Sequence, residues 1–212
     1  MNARPALATA ALLLAAGGCV NLERSRDLGN PDVPAATLAA QVCSNCHGLD
    51  GNAPSPNFPS LAGQQKDYLE AQLRQFRGHN RLDPAGFEYM WGLSRKLTDA
   101  QIAGLADYFA AQRPRSPGPA APALAEAGRR IFKDGLPDGN IPACATCHGE
   151  HGEGNATFPR LAYQHADYLY KQLVVFQRTD ERPEGSVMKT IAHGLSGADM
   201  RAVAAYLQAF PD

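Results

Sequence analysis

Cys43-Ser44-Asn45-Cys46-His47 and, 101 residues further on, Cys144-Ala145-Thr146-Cys147-His148 are two copies of one pattern, C-x-x-C-H. Two thiols three residues apart can each bond one vinyl group of a haem while the adjoining imidazole takes one face of its iron. Each pentapeptide therefore reads as a covalent c-type haem site, with Cys43, Cys46, Cys144 and Cys147 as attachment residues and His47 and His148 as iron ligands. Cysteines at this spacing also serve as zinc knuckles. A knuckle has no use for a histidine directly after the second cysteine, nor for the methionine that accompanies each copy. Two haem c groups in one chain point to the movement of electrons.

The similarity runs well beyond the pentapeptides. Gly48 and Gly51 match Gly149 and Gly152; after a one-residue shift, Phe58-Pro59 and Leu61-Ala62 match Phe158-Pro159 and Leu161-Ala162. Gln64, Asp67-Tyr68-Leu69, Gln72-Leu73 and Phe76 then correspond to Gln164, Asp167-Tyr168-Leu169, Gln172-Leu173 and Phe176. The apolar members of these runs recur at helical intervals, so Tyr68, Leu69, Leu73 and Phe76 form one stripe, expected to pack against the haem of their own copy. A closing helix is expected in each copy, through Ile102, Leu105 and Tyr108 and through Met200, Val203 and Tyr206, with Thr98 and Ser196 as N-caps.

An Ala-rich helical stretch precedes each pentapeptide, over 35–42 and 123–132, and no stretch alternates apolar and polar residues for long enough to build a sheet. The expected class is all-α, each copy holding about three to four helices around one covalently bound haem. Between the copies, Arg113-Pro114-Arg115-Ser116-Pro117-Gly118-Pro119 lacks the amide donors a helix interior needs. The chain thus divides into a first unit over 35–113, a proline-rich linker of restricted flexibility over 114–121 and a second unit over 122–212.

The remaining axial position of each iron decides the character of the haem. Met90 stands eight residues before Thr98, and Met188 stands eight residues before Ser196, one shared position of the duplicated unit. Met90 and Met188 are therefore the expected sixth ligands, giving low-spin carriers of relatively high potential. Met200 aligns with Ile102 and reads as core filling. His79, His151, His165 and His193 have no histidine partner in the other copy, which suits surface or propionate-contacting roles. With both irons saturated by protein, catalysis at the metal is not expected.

The chain opens with Arg4, an apolar run over 6–16 and Gly17-Gly18-Cys19. That run is too short to span a bilayer and reads as an export signal. The arrangement resembles a bacterial lipoprotein signal: a leader over 1–18, a lipidated Cys19 as first mature residue, and a flexible tether over 19–34 that holds the protein to a membrane. Cleavage without lipidation is the alternative. The 212 residues carry a formal net charge of -1, and no basic field suggests nucleic acid as a partner. Residues 35–113 hold seven acids and seven bases, and 122–212 eleven acids and nine bases, so neither unit steers partners strongly by net charge.

Taken together, the two pentapeptides, the run Pro56-Asn57-Phe58-Pro59-Ser60-Leu61-Ala62-Gly63-Gln64, Met90, Met188 and Ala106-Asp107-Tyr108-Phe109 resemble the cytochrome c4 family, with Tyr163 departing where Gly63 stands in the first copy. That resemblance implies two tandem class I cytochrome c domains with two haem c groups, meeting through their haem-bearing faces. It also implies a bacterial periplasmic protein that passes single electrons from a quinol-oxidising complex or dehydrogenase to a terminal oxidase or another cytochrome. The alternatives are a haem subunit of a membrane-associated dehydrogenase complex and, from another class, a dihaem peroxidase or thiosulfate-oxidising enzyme.

Overall fold

The computed structural model describes residues 24–178 and 180–211; Cys19 and the expected leader lie outside them. Helices carry the fold, and among the described residues the only β pairings are two isolated bridges, Leu136 with Ile141 and Asn155 with Phe158.

In the first unit α1 runs without a break through Ala35–Leu38, a wide π-helical turn at Ala39–Cys43, and Ser44–His47. It is followed by α2 (Lys66–Arg77), by α3, which joins a wide turn at Ala85–Met90 to Trp91–Ser94, and by α4 (Asp99–Ala110). The second unit repeats the plan with α5 (Pro122–Asp134), α6 (Ala145–His148), α7 (Ala166–Arg178), α8 (Ser186–His193) and α9 (Gly197–Gln208). What α1 does in one helix takes two in the second unit, because the loop with Gly135, Pro137 and Gly139 separates α5 from α6.

Each unit has its own core. Val33, Leu38, Leu69, Leu97, Ile102, Leu105 and Phe109 pack together in the first. Phe132, Leu169, Leu195, Met200, Val203, Tyr206 and Phe210 do so in the second. The opening and closing helices of each unit meet at a glycine, on opposite partners of the pair. A Cβ at Gly128 on α5 would stand 2.0 Å from the Ala202 carbonyl oxygen on α9, and one at Gly104 on α4 would stand 2.6 Å from the Ala35 Cβ on α1. Only an absent side chain lets the backbones come this close.

Both closing helices start with a reciprocal cap. Thr98 Oγ1 accepts from Gln101 N while Gln101 Oε1 accepts from Thr98 N, and Ser196 with Asp199 does the same. The expected tether behaves differently over its described part. Residues 24–34 fold back on the first unit: Val33 enters the core, Ser25 is buried, and Gln101 Nε2 donates to the carbonyls of Asn30 and Val33. An apolar side chain and two satisfied carbonyls hold down what the polar composition suggested would be free. The linker is laced down as well, since Asn52 bonds Arg113 O and Arg115 N while Ser116 Oγ donates to Gln208 O.

Candidate functional site

Cys43, Cys46 and His47 stand at i, i+3 and i+4 along α1, so both thiols and the imidazole project from one side of the helix. Cys144, Cys147 and His148 repeat this at the start of α6. Gly48 ends the first site with a φ of 78°, and a Cβ there would lie 2.3 Å from Asn52 O. Glycine is required for the chain to turn back beneath the histidine.

His47 is 8% exposed and His148 7%. Each Nδ1 lies 2.9 Å from a carbonyl oxygen, that of Pro59 for His47 and that of Pro159 for His148. A carbonyl can only accept, so Nδ1 carries the proton and Nε2 keeps its lone pair for a metal. Burial holds both imidazoles below the ordinary histidine range, opposed by the same bonds to Pro59 and Pro159. Neutral imidazoles are what iron requires. Phe58 and Phe158 meet the two rings edge-on, at centroid distances of 6.3 and 6.1 Å, and fix their tilt.

Burial pushes the Cys43 and Cys144 thiols up to about 11. A zinc knuckle needs thiolates and a third and fourth ligand, yet among the described residues no three His, Cys, Asp or Glu side chains converge to hold a metal ion. Two thiols beside one buried, oriented imidazole fit a haem that is covalently attached and ligated from one side.

Met90 ends the wide turn of α3, and Met188 lies in the first turn of α8; both are half-buried. Met200 is 2% exposed within the second core, as core filling requires. The unpaired histidines divide. His151 and His193 are exposed, and His79 stacks between Phe87 and Trp91 at 5.2 and 4.6 Å. His165 departs from the expectation of a surface position: it is buried, and its Nε2 bonds Ala53 O at 2.7 Å across to the first unit.

That bond belongs to a two-fold-like seam that sequence reasoning did not find. The Gln64 amide donates to Arg160 O and accepts from Arg160 N, at 3.0 and 2.6 Å. The Gln164 amide treats Ser60 the same way, at 2.9 and 2.8 Å. Ser60 and Arg160 each follow the proline whose carbonyl orients a histidine, so each unit grips the other's histidine-holding segment. Further along, Arg81 and Arg182 are both buried and both donate to Gln72 Oε1 and Gln172 Oε1. Each lies over a phenylalanine of its own unit, Phe76 or Phe176. The available signal was duplication of polar residues: Gln64 with Gln164, Gln72 with Gln172, and Arg81 with Arg182.

Known proteins share this architecture. The Cytochrome c family profile matches twice, over residues 33–112 and 125–210. Cytochrome c-552 of Acidithiobacillus ferridurans is 41% identical over 209 residues, covering 97% of this chain and 87% of its own. Cytochrome c4 of Azotobacter vinelandii is 39% identical over 186 residues, covering 84% and 88%. The crystal structure of reduced recombinant cytochrome c4 from Pseudomonas stutzeri superposes with a TM-score of 0.74 at 38% identity, covering 85% of this chain and 98% of that one. With two Cys-x-x-Cys-His helices, two oriented histidines and two cytochrome c units in one chain, this protein belongs to the cytochrome c4 family and carries two haem c groups.

Proposed function

We propose that this chain is a periplasmic carrier of single electrons, taking them from a quinol-oxidising complex or a dehydrogenase and delivering them to a terminal oxidase or another cytochrome. The haem iron supplies a one-electron couple between its ferric and ferrous states. The polypeptide supplies everything else. Cys43, Cys46, Cys144 and Cys147 hold the groups covalently, and His47 and His148 ligate through Nε2 because Nδ1 is committed to Pro59 and Pro159. Met90 and Met188, at one shared position of the duplicated unit, would supply the second protein ligand to each iron. Irons saturated by protein in this way would offer no seat to peroxide or a gas, which favours transfer over catalysis. A lipidated Cys19 would hold the carrier near membrane complexes and raise its effective concentration there.

The observation that carries this reading is the seam, in which the histidine-holding segment of each unit is hydrogen-bonded to the other unit. Two one-electron sites fixed to each other in this way form a relay. An optical redox titration of the purified protein, with haem quantified after denaturation, tests it. Two haems per chain, both low-spin and both with the weak red absorption of methionine-bound ferric haem, are expected. A high-spin ferric haem, or turnover with peroxide, would overturn the carrier reading. Stable co-purification with a larger subunit would instead assign the chain to a dehydrogenase complex.

A further inference from the structure

Three arginines are buried among the described residues: Arg81, Arg160 and Arg182. Two have a carboxylate of their own. Arg81 pairs with Asp83 at 2.7 Å and Arg182 with Glu184 at 2.9 Å. Arg160, 4% exposed, has none. Its Nη1 donates to Ala162 O, its Nη2 donates to Ser60 O at 3.2 Å, and its Nε is buried without any partner. Carbonyl dipoles satisfy part of the fork and leave the charge uncompensated.

A guanidinium keeps its proton in such a place. Burial lowers the Arg160 pKa to about 10, which still leaves it cationic at neutral pH. Burying a charge without a counter-charge is among the most unfavourable arrangements a protein can contain. An arginine fork whose Nε–H is free is also shaped for a planar carboxylate.

The location says which carboxylate. Arg160 directly follows Pro159, whose carbonyl orients His148, and it donates to Ser60, which directly follows Pro59, whose carbonyl orients His47. The guanidinium thus bridges the two segments that hold the haem-ligating histidines. Each haem brings propionate carboxylates, and no Asp or Glu among the described residues forms an ion pair with Arg160.

We infer that Arg160 is the counter-ion of a haem propionate at the seam between the units, and that it sets the potential of that haem apart from the other. The duplicated position in the first unit is Ser60, which carries no charge. The two haems, alike in their cysteines and histidines, are therefore unlike in the fixed charge supplied at this position. A nearby cation disfavours the more positive ferric state, so Arg160 raises the potential it acts on. The inference needs the two haems; it does not depend on the methionine ligands or on the identity of any redox partner.

Spectroelectrochemical titration of the holoprotein tests it with Arg160→Gln and Arg160→Lys. In Arg160→Gln one potential should fall by about 59 mV, a tenfold change in a one-electron equilibrium, and the other should fall less. The red ferric absorption should persist, which separates this result from any loss of axial ligation. Arg160→Lys should keep most of the wild-type separation. Unmoved potentials in Arg160→Gln, or an equal fall in Arg160→Lys, would overturn the assignment. If Arg160→Gln fails to mature, NMR of the reduced wild-type holoprotein decides. A slowly exchanging Arg160 Nε–H with nuclear Overhauser contacts to propionate methylene protons is expected, and contacts to protein protons alone would overturn it.

Discussion

Single residues divide here into those that hold a haem and those that adjust it, and the two kinds answer mutation differently. Replacing Met90 with alanine should lower the potential of one haem and abolish its red ferric absorption while leaving the other spectrum intact; Met188→Ala should do the same to the other haem, and optical titration reads both. Met200→Ala removes a fully packed side chain from the second core, so it should cost about 2–5 kcal/mol in stability with unchanged haem spectra. A spectral change in Met200→Ala would show that the repeat had been aligned wrongly. The two pentapeptides were legible because C-x-x-C-H chemistry is local, and the shared position of Met90 and Met188 because a duplication marks it; their ligation is what these variants test. Arg160 was not legible. It aligns with a serine, and its meaning lies in burial and a missing carboxylate, which only tertiary structure displays.

Among the elements, the closing helices show how far local signals reach. Thr98 and Ser196 each begin an expected helix, and both make the reciprocal bonds of a capping box. Thr98→Ala leaves the Gln101 amide without its partner and should cost about 1 kcal/mol, measurable by denaturant titration of the holoprotein. The crossings of opening and closing helices are less forgiving. Gly128→Ala would place a methyl group 2.0 Å from the Ala202 carbonyl oxygen, forcing α5 away from α9. A loss of about 1–3 kcal/mol or more is expected, larger than that of the Thr98 cap change in the same titration. Nothing in the sequence pairs Gly128 with Ala202, because a glycine in a helix advertises a close approach without naming its partner. The wide turns at Ala39–Cys43 and Ala85–Met90 were equally silent. Such turns follow from packing against a site rather than from any residue pattern.

At the scale of the whole molecule, the duplicated sequence suggested two units on a proline-rich string, each with a core and a haem of its own. The structure adds a seam through which they hold one another. Gln64 and Gln164 had been visible as a repeated pair, but their bonds run between copies, and a repeat alignment compares copies without saying that they touch. The seam makes a thermodynamic claim that can be checked. Removing the Gln164 amide leaves the buried Ser60 N–H without a partner and the Ser60 C=O with only the Arg160 guanidinium. Each abandoned group costs about 1–3 kcal/mol, and Gln64→Ala does the same at Arg160. The cores themselves are untouched by either change, since neither glutamine belongs to them. Calorimetry of the wild-type holoprotein should therefore give one cooperative transition, and the Gln64→Ala, Gln164→Ala double variant should resolve two, one per unit. Two transitions already present in the wild type would mean that the seam aligns the haems without coupling the units' stabilities. A single transition retained in the double variant would shift the coupling to the Arg81, Arg182, Gln72 and Gln172 cluster, whose bonds also cross between units.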